Sequence, residues 1–446
     1  MVTPDHNLMV AAEDEPPGTT FWLTRGTHVL GPGEFTQVVT KDRQRFIGAP
    51  GAILDGRHQN SYAFTSTADG VHIEHLTIQN FGTSIEDNPS EAVVNHDGGK
   101  GWVIRHNTIR WNAGAGVFLG SRSTLAHNCL QENGQYGFTT GSARHVLVRS
   151  NEIAGNNTAD WEGLQEGCGC TGGGKFWETR DATVVDNWVH DNQGAGVFVD
   201  TNNVGFLVAG NLIADNTDAG LIYETSYNAE IRGNTFVRNA LESGPSDPGF
   251  PRTAVYISES GSDSRAGQRF GSRLAILGNR FIDNWGGVVG WENADRFAGS
   301  PVNTSTGYST LVNPRVATVQ ACSDADRITT DPYYDDCRWK TKNVLVEGNL
   351  FEFTPSHFPD GCLADQGCGF NGLFANWGTT PDWSPYMETV VMDGITFEQD
   401  NLWVNNRYVG PWRFMIHNQG NVVSWETWRS TPYGQDADST LEQGAR

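Results

Sequence analysis

Two carboxylates stand at matching places in the chain: Asp200 closes the run GVFVD, and Glu224 closes LIYE, 24 residues later. One protonated and one ionised carboxyl held side by side is the arrangement that hydrolyses a glycosidic bond. The bland alternative is a solvated acidic face, or a cation site built from hard oxygen ligands. Only a fold that brings residues 24 apart into contact can make a pair of them.

The sequence supplies such a fold. An asparagine-punctuated phrase recurs as RHNTIRWN, AHNCLQEN, RSNEIAGN, VDNWVHDN, AGNLIADN, RGNTFVRN and LGNRFIDN. Its first asparagines are Asn107, Asn128, Asn151, Asn187, Asn211, Asn234 and Asn279, and Asn349 in EGNLFEF continues the series. A period of this length denotes a solenoid of stacked supersecondary units. Each tight unit reads as three short strands, here GVFV, GFLVAG and NLIADN. Alternation turns Val197 and Val199 inward, and Phe198 and Asp200 outward. The asparagines form hydrogen-bonded ladders at the turns.

The repeat is also a ruler. Eight residues past the second asparagine of a phrase lie Gly120, Gly141, Asp200, Glu224 and Glu292. Parallel strands lie about 4.8 Å apart, so one coil position stacks into a column that changes from glycine to carboxylate midway. Like charges side by side are costly and displace each other's pKa, which favours a catalytic reading over a structural one. Around the pair, Trp177 aligns with the column, and Lys175, two residues earlier, points outward alongside Phe198. Ser258, Glu259 and Trp291 follow near it, and Asn203 and Tyr227 are candidates for contacts to sugar hydroxyls and a ring face. Glu166, in the insertion NTADWEGLQEGCGCTGGG, is a candidate further carboxylate in the same cleft.

Residues 1–45 read as an N-terminal cap, 46–410 as the coil stack, and 411–446 as a Trp-rich C-terminal capping segment. Insertions at 157–173, 240–252 and 296–340 must leave the coils as loops, which in repeat proteins gather on the binding face. The net charge of −22 disfavours nucleic acid and polyanionic glycans as partners. No run is apolar enough for a transmembrane span, and no signal peptide is visible. Cys129 reads as a core residue. The other six cysteines form local pairs, Cys168 with Cys170, Cys322 with Cys337 and Cys362 with Cys368, pointing to an oxidising, extracellular compartment.

The repeat resembles the right-handed parallel β-helix of pectate-lyase-like proteins over about residues 45–410. The resemblance implies an all-β solenoid of ten or more coils, three short strands each. The segment from GGGKFW through IYETSYN is also similar to β-helical glycoside hydrolases of the β-xylosidase type. That similarity implies Asp200 as nucleophile and Glu224 as acid/base of a retaining hydrolase, secreted and acting on a neutral or weakly charged glycan without a cofactor. A polysaccharide lyase or epimerase is the first alternative, with Lys175 as base and Asp200 and Glu224 holding Ca²⁺. A non-catalytic carbohydrate-binding or adhesin-like platform is the second.

Overall fold

In the computed structural model, the three-residue strands of the repeat bury their middle residue and turn its neighbours out. The structure describes residues 1–82, 92–164, 169, 172–247, 249–303, 305, 307–359, 362 and 367–443. One coil runs through strands Val103–Arg105, Thr108–Arg110 and Ala115–Phe118. Its inward residues Ile104, Ile109 and Val117 are fully buried. Ile104 stands between Ile73 and Leu125 in parallel register, and Ile109 between Ile78 and Leu130. Like thus stacks on like from coil to coil, and the core is a set of aliphatic columns. Each buried side chain of this size stabilises by about 1.5–3 kcal/mol relative to exposure.

The chain divides into two units. Met1–Phe198 with Asn211–Asn216 form the first, and Val199–Gly210 with Thr217–Arg446 the second. In the first, the strands begin at Thr20–Leu23, which pairs in parallel with Arg45–Gly48, so coil structure already occupies the segment read as a cap. In the second, the C-terminal segment also adds strands. Thr440–Glu442 extends one sheet in parallel, whereas Val422–Val423 pairs antiparallel with Phe414 and Met415. Trp403, Phe414 and Trp428 pack together beneath it, with Trp428 5.0 Å from Phe414 and 5.9 Å from Trp403.

The asparagines form buried ladders. Asn128 accepts at Oδ1 from the backbone and side-chain amides of Asn107, both at 3.0 Å, and donates from Nδ2 to Ile104 O (2.9 Å) and Asn151 Oδ1 (3.0 Å). Asn151 continues to Asn187 and Asn187 to Asn211. In the second unit the same bonds link Asn234, Asn279, Asn349 and Asn406. Every polar atom of these buried amides is used, so the ladder fixes the turns without an unsatisfied group. Replacing Asn128 by Ala orphans backbone and side-chain groups on both neighbours and is expected to cost about 1–3 kcal/mol. Urea unfolding checks this, and an unchanged midpoint would contradict it.

Cys129 corrects one expectation. It occupies the outward position of its strand, beside inward Leu130, and its Sγ donates to Glu152 Oε2 at 3.2 Å. Burial and the adjacent carboxylate push the thiol up to about 11. Two disulfides, Cys322–Cys337 and Cys362–Cys368, close loops of the second unit. Cys168 and Cys170 lie outside the described residues. No helix among those residues is long and apolar enough to cross a membrane.

Candidate active site

One sheet of the second unit carries the acidic positions. Strands Leu221–Glu224, Val255–Ser258, Val288–Glu292 and Phe370–Ala375 follow each other in parallel register. Leu221, Tyr223, Val255 and Ile257 are fully buried, which leaves Ile222 and Glu224, Tyr256 and Ser258 on the outer face. Glu224 stands opposite Ser258, and Ser258 opposite Trp291. In the first of these pairs Thr225 N–H donates to Ser258 C=O at 2.9 Å. Thr201 N–H makes the same bond to Glu224 C=O at 3.1 Å, which gives Asp200 the register position beside Glu224. The column thus runs Asp200, Glu224, Ser258, Trp291.

A guanidinium organises the carboxyls. Arg296 Nη1 donates to Glu224 Oε1, and lies 3.3 Å from Glu259 Oε2. Its Nε and Nη2 bond Ser305 Oγ at 3.1 and 2.7 Å. Glu259 is buried, bonded by Ser258 Oγ at 2.5 Å and by Asn293 N–H at 2.6 Å. Asp200 accepts from Thr201 Oγ1 at 2.7 Å. Burial raises the Glu224 carboxyl above its ordinary pKa. Arg296 opposes that, while the charges of Asp200 and Glu259 add to it. Burial also works against the Arg296 charge, but Glu224 and Glu259 more than offset it and hold the guanidinium protonated. Three carboxyls thus stand beside one cation, and the Glu224 carboxyl is driven toward keeping its proton.

Beside the pair opens a cavity of about 220 Å³, lined by Ile222, Tyr256, Phe250, Asp218, Asp247 and Arg252 among others. Ile222 and Tyr256 precede Glu224 and Ser258 by two residues on the same outward face. Phe250 forms its aromatic wall, 6.0 Å from Tyr256 and 5.7 Å from Trp291. Arg252 is held by Asp247 at 3.1 Å and Asp218 at 3.7 Å. Asp247, Phe250 and Arg252 come from the 240–252 insertion, and Asp218, Ile222 and Tyr256 from the coils.

Several expected site residues stand elsewhere. Glu292 is not in the column. It faces Ala375 in register, is fully buried, and accepts from Arg338 Nη2 at 2.7 Å, Thr341 N–H at 2.7 Å and the Gln399 amide. The turn after Asn284 is one residue shorter than those after Asn192 and Asn216, so counting eight overshoots and Trp291 takes the outward position. Asn203 is fully buried. It bonds Asp200 C=O at 2.5 Å and Ser226 Oγ at 3.1 Å, and Ser226 N–H in turn donates to Ser260 Oγ at 3.0 Å. It is the head of a turn ladder, not a sugar contact. Tyr227 is buried too, its hydroxyl donating to Lys340 C=O (3.1 Å) and accepting from Lys340 N–H (3.0 Å), its ring edge-on to Trp339. The 296–340 insertion folds back over it.

In the first unit, Lys175 pairs in register with Thr139, and its Nζ donates to Gly169 C=O at 2.8 Å and sits 5.0 Å over the Phe198 ring. Its side chain is largely buried, and Trp177, opposite Gly141, is exposed. Glu166 lies outside the described residues. Among those residues no group of three or more His, Cys, Asp or Glu is placed to hold a metal ion. Arg296 was not legible as a site residue. Its only signal is its position four residues after WE at the start of the longest insertion.

The right-handed β-helix region family matches residues 90–296. No curated protein matches the sequence. Among solved structures, XylC in complex with xylose superposes with a TM-score of 0.55 at 9% identity, over 99% of this chain and 83% of that one. The catalytic unit of a thermostable GH87 alpha-1,3-glucanase from Streptomyces thermodiastaticus strain HF3-3 gives 0.53 at 13% identity, over 98% of this chain. The chain spans 63% of that enzyme unit's length. A GH87 alpha-1,3-glucanase catalytic domain in complex with tetrasaccharides gives 0.52 at 10% identity, over 96% of this chain and 64% of that one. At such identities the likeness speaks for the fold. With parallel three-strand coils, buried asparagine ladders and these matches together, the chain folds as a right-handed parallel β-helix.

Proposed function

We propose that the protein is a secreted glycoside hydrolase acting on a neutral or weakly charged glycan through Asp200 and Glu224. The observation that carries this reading is the juxtaposition of the two on one outer column, with the Glu224 carboxyl raised in pKa chiefly by its burial. Glu224, protonated, donates to the glycosidic oxygen as the bond to the anomeric carbon breaks. Asp200, ionised, attacks that carbon. In the second half-reaction water attacks that carbon, giving up a proton to Glu224, and the bond to Asp200 breaks to release it as the carboxylate. Carboxyls on adjacent strands stand about 5 Å apart, the separation of a retaining enzyme. Arg296 and Glu259 position Glu224 and set its protonation, and the Phe250-lined cavity offers a ring face to a neighbouring sugar unit.

The named structural neighbours include XylC bound to xylose and two alpha-1,3-glucanases, one in complex with tetrasaccharides, which favours neutral sugars as the first substrates to try. Two disulfides favour an oxidising compartment. The lyase reading would hold Ca²⁺ on Asp200 and Glu224, whereas Glu224 is already engaged by the Arg296 guanidinium. A panel of xylan, alpha-1,3-glucan and aryl glycosides is expected to yield reducing ends, with the first-formed anomer retained by proton NMR. An unsaturated, ultraviolet-absorbing product from a uronate polymer would contradict the hydrolase reading, and first-formed inverted anomer would contradict the retaining step.

A further inference from the structure

The turn position just before the first asparagine of each phrase is basic only at the start of the stack. It is His75, ahead of Leu76, then His106 and His127, and after them Ser150, Asp186, Gly210, Gly233 and Gly278. The backbone there is left-handed, with φ of 61°, 57° and 57° at the three histidines. Glycine adopts that conformation without cost and does so in the later coils, so the turn itself does not call for imidazole. All three rings are exposed and stack in near-parallel pairs. Their centroids lie 5.0 Å apart from His75 to His106 and 5.1 Å from His106 to His127.

Arginines flank the ladder on the strands that lead into it. Arg45 and Arg105, both partly exposed, hold the buried Glu74 carboxylate at 3.3 and 2.9 Å, together with His72 Nδ1 at 3.0 Å. Arg149, beside Ala126 in register, is exposed and reaches Asp186 only at 3.7 Å. On the strands that follow the turns, outward Thr77, Thr108 and Cys129 add no charge, and Glu152 beside Cys129 is engaged by Cys129 and His190. Slight burial, then the charges of His75, His127 and Arg105, hold the His106 imidazole below its ordinary pKa, and Glu74 opposes them. Histidine is the side chain that gains charge under mildly acidic conditions, and cations stacked at this spacing repel one another. A partner that brings one negative charge per step relieves the repulsion. An extended polyuronate does so, since it carries a carboxylate on each sugar and advances by a similar distance per sugar. The chain as a whole is acidic, with a net charge of −22 when its histidines are neutral, so this patch is a local exception to the repulsion of polyanions.

We propose that the histidine ladder, with Arg45, Arg105 and Arg149, is an acid-dependent docking surface for a linear polyuronate laid along the stack across His75, His106 and His127. The inference does not rest on the hydrolase reading, since these groups belong to the first unit and Asp200 and Glu224 to the second. Calorimetric titration of the full chain with a de-esterified oligogalacturonate tests it at about pH 5.5 and about pH 7.5, where the sugar carboxylates are ionised throughout. Binding is expected at the lower pH, weakened about tenfold or more at the higher pH and weakened by added salt. Titration in two buffers of different ionisation enthalpy is expected to show proton uptake on binding, a readout that needs no variant. The triple variant His75→Asn, His106→Asn and His127→Asn keeps residues that tolerate left-handed turns. It is expected to bind at the lower pH only as weakly as the parent does at the higher, whereas Glu224→Gln binds like the parent. Absence of binding at the lower pH, equal affinity at both pH values, or binding without proton uptake would overturn the proposal. A triple variant that binds like the parent would also overturn it and leave the ladder a structural stack. Loss of binding in Glu224→Gln would overturn it by assigning the polymer to the acidic column.

Discussion

Glu224→Gln is expected to lower kcat/KM on an unactivated glycan by about 10²–10⁴-fold, the usual contribution of a positioned general acid. The variant keeps the shape of the side chain and an oxygen for Arg296, so folding is expected to be preserved. The effect depends on the leaving group. An aryl glycoside whose phenolate needs no proton loses far less in the first step than a sugar leaving group does. The pH dependence carries the same information. Because the Glu224 pKa is raised, chiefly by burial, the acid form persists above the ordinary glutamate range. Activity is therefore expected to fall as pH rises through that elevated value, and this alkaline limb to vanish in Glu224→Gln on the aryl substrate. Stability follows the same sign. The native state holds the proton more tightly than the unfolded chain, so this contribution is fully present below the unfolded pKa and is lost as pH rises through the native one. Glu224→Gln is thus expected to be at least as stable as the parent at neutral pH, and a lower melting temperature there would argue against a carboxyl held neutral by its surroundings.

Arg338→Met is expected to act in the opposite way, on stability and not directly on chemistry. Arg338 and Glu292 form an ion pair from which water is excluded, with side chains 2% and 0% exposed. Removing the cation leaves Glu292 with Thr341 and Gln399 as donors but no charge partner. Breaking such a pair from one side costs about 3–5 kcal/mol. Replacing both, as in Arg338→Met with Glu292→Leu, is expected to recover much of the loss. Denaturant unfolding of the single and double variants measures this directly. A single variant as stable as the parent would show that the pair is not the structural clasp its burial describes. The contrast with Glu224 separates two acidic residues that look alike in sequence. One is buried with a full set of partners and holds the 296–340 insertion against the coil. The other is partly buried on the outer face of the sheet among competing charges.

The difference between these two glutamates also marks how far the sequence reaches. Periodicity identified the coils because each unit must place an aliphatic residue and an asparagine where the previous unit placed its own. The same regularity located Asp200 beside Glu224, since successive tight coils have equal turns there. It failed at Glu292 because a single residue is missing from the turn after Asn284, and in a strand one residue exchanges inside for outside. Asn203 and Tyr227 were misassigned for a different reason. The alternation of each strand is visible in sequence, but what covers the next turn is not. Asn203 is drawn inward by the Ser226 hydroxyl, and Tyr227 is roofed by Trp339 and Lys340 from more than a hundred residues away. Arg296 was hidden likewise. Its partner Glu224 is 72 residues distant, and contacts made by an insertion obey no repeat. Cys129 was misread by alignment alone, having been matched to the inward position instead of the outward one occupied by Thr108.

The most direct test of the two-carboxylate account is reducing-end release from the cleaved glycan by the parent, Asp200→Asn and Glu224→Gln at matched protein concentration and confirmed folding. The account predicts turnover by the parent and loss of about two orders of magnitude or more in each variant. Undiminished release by either variant would contradict it.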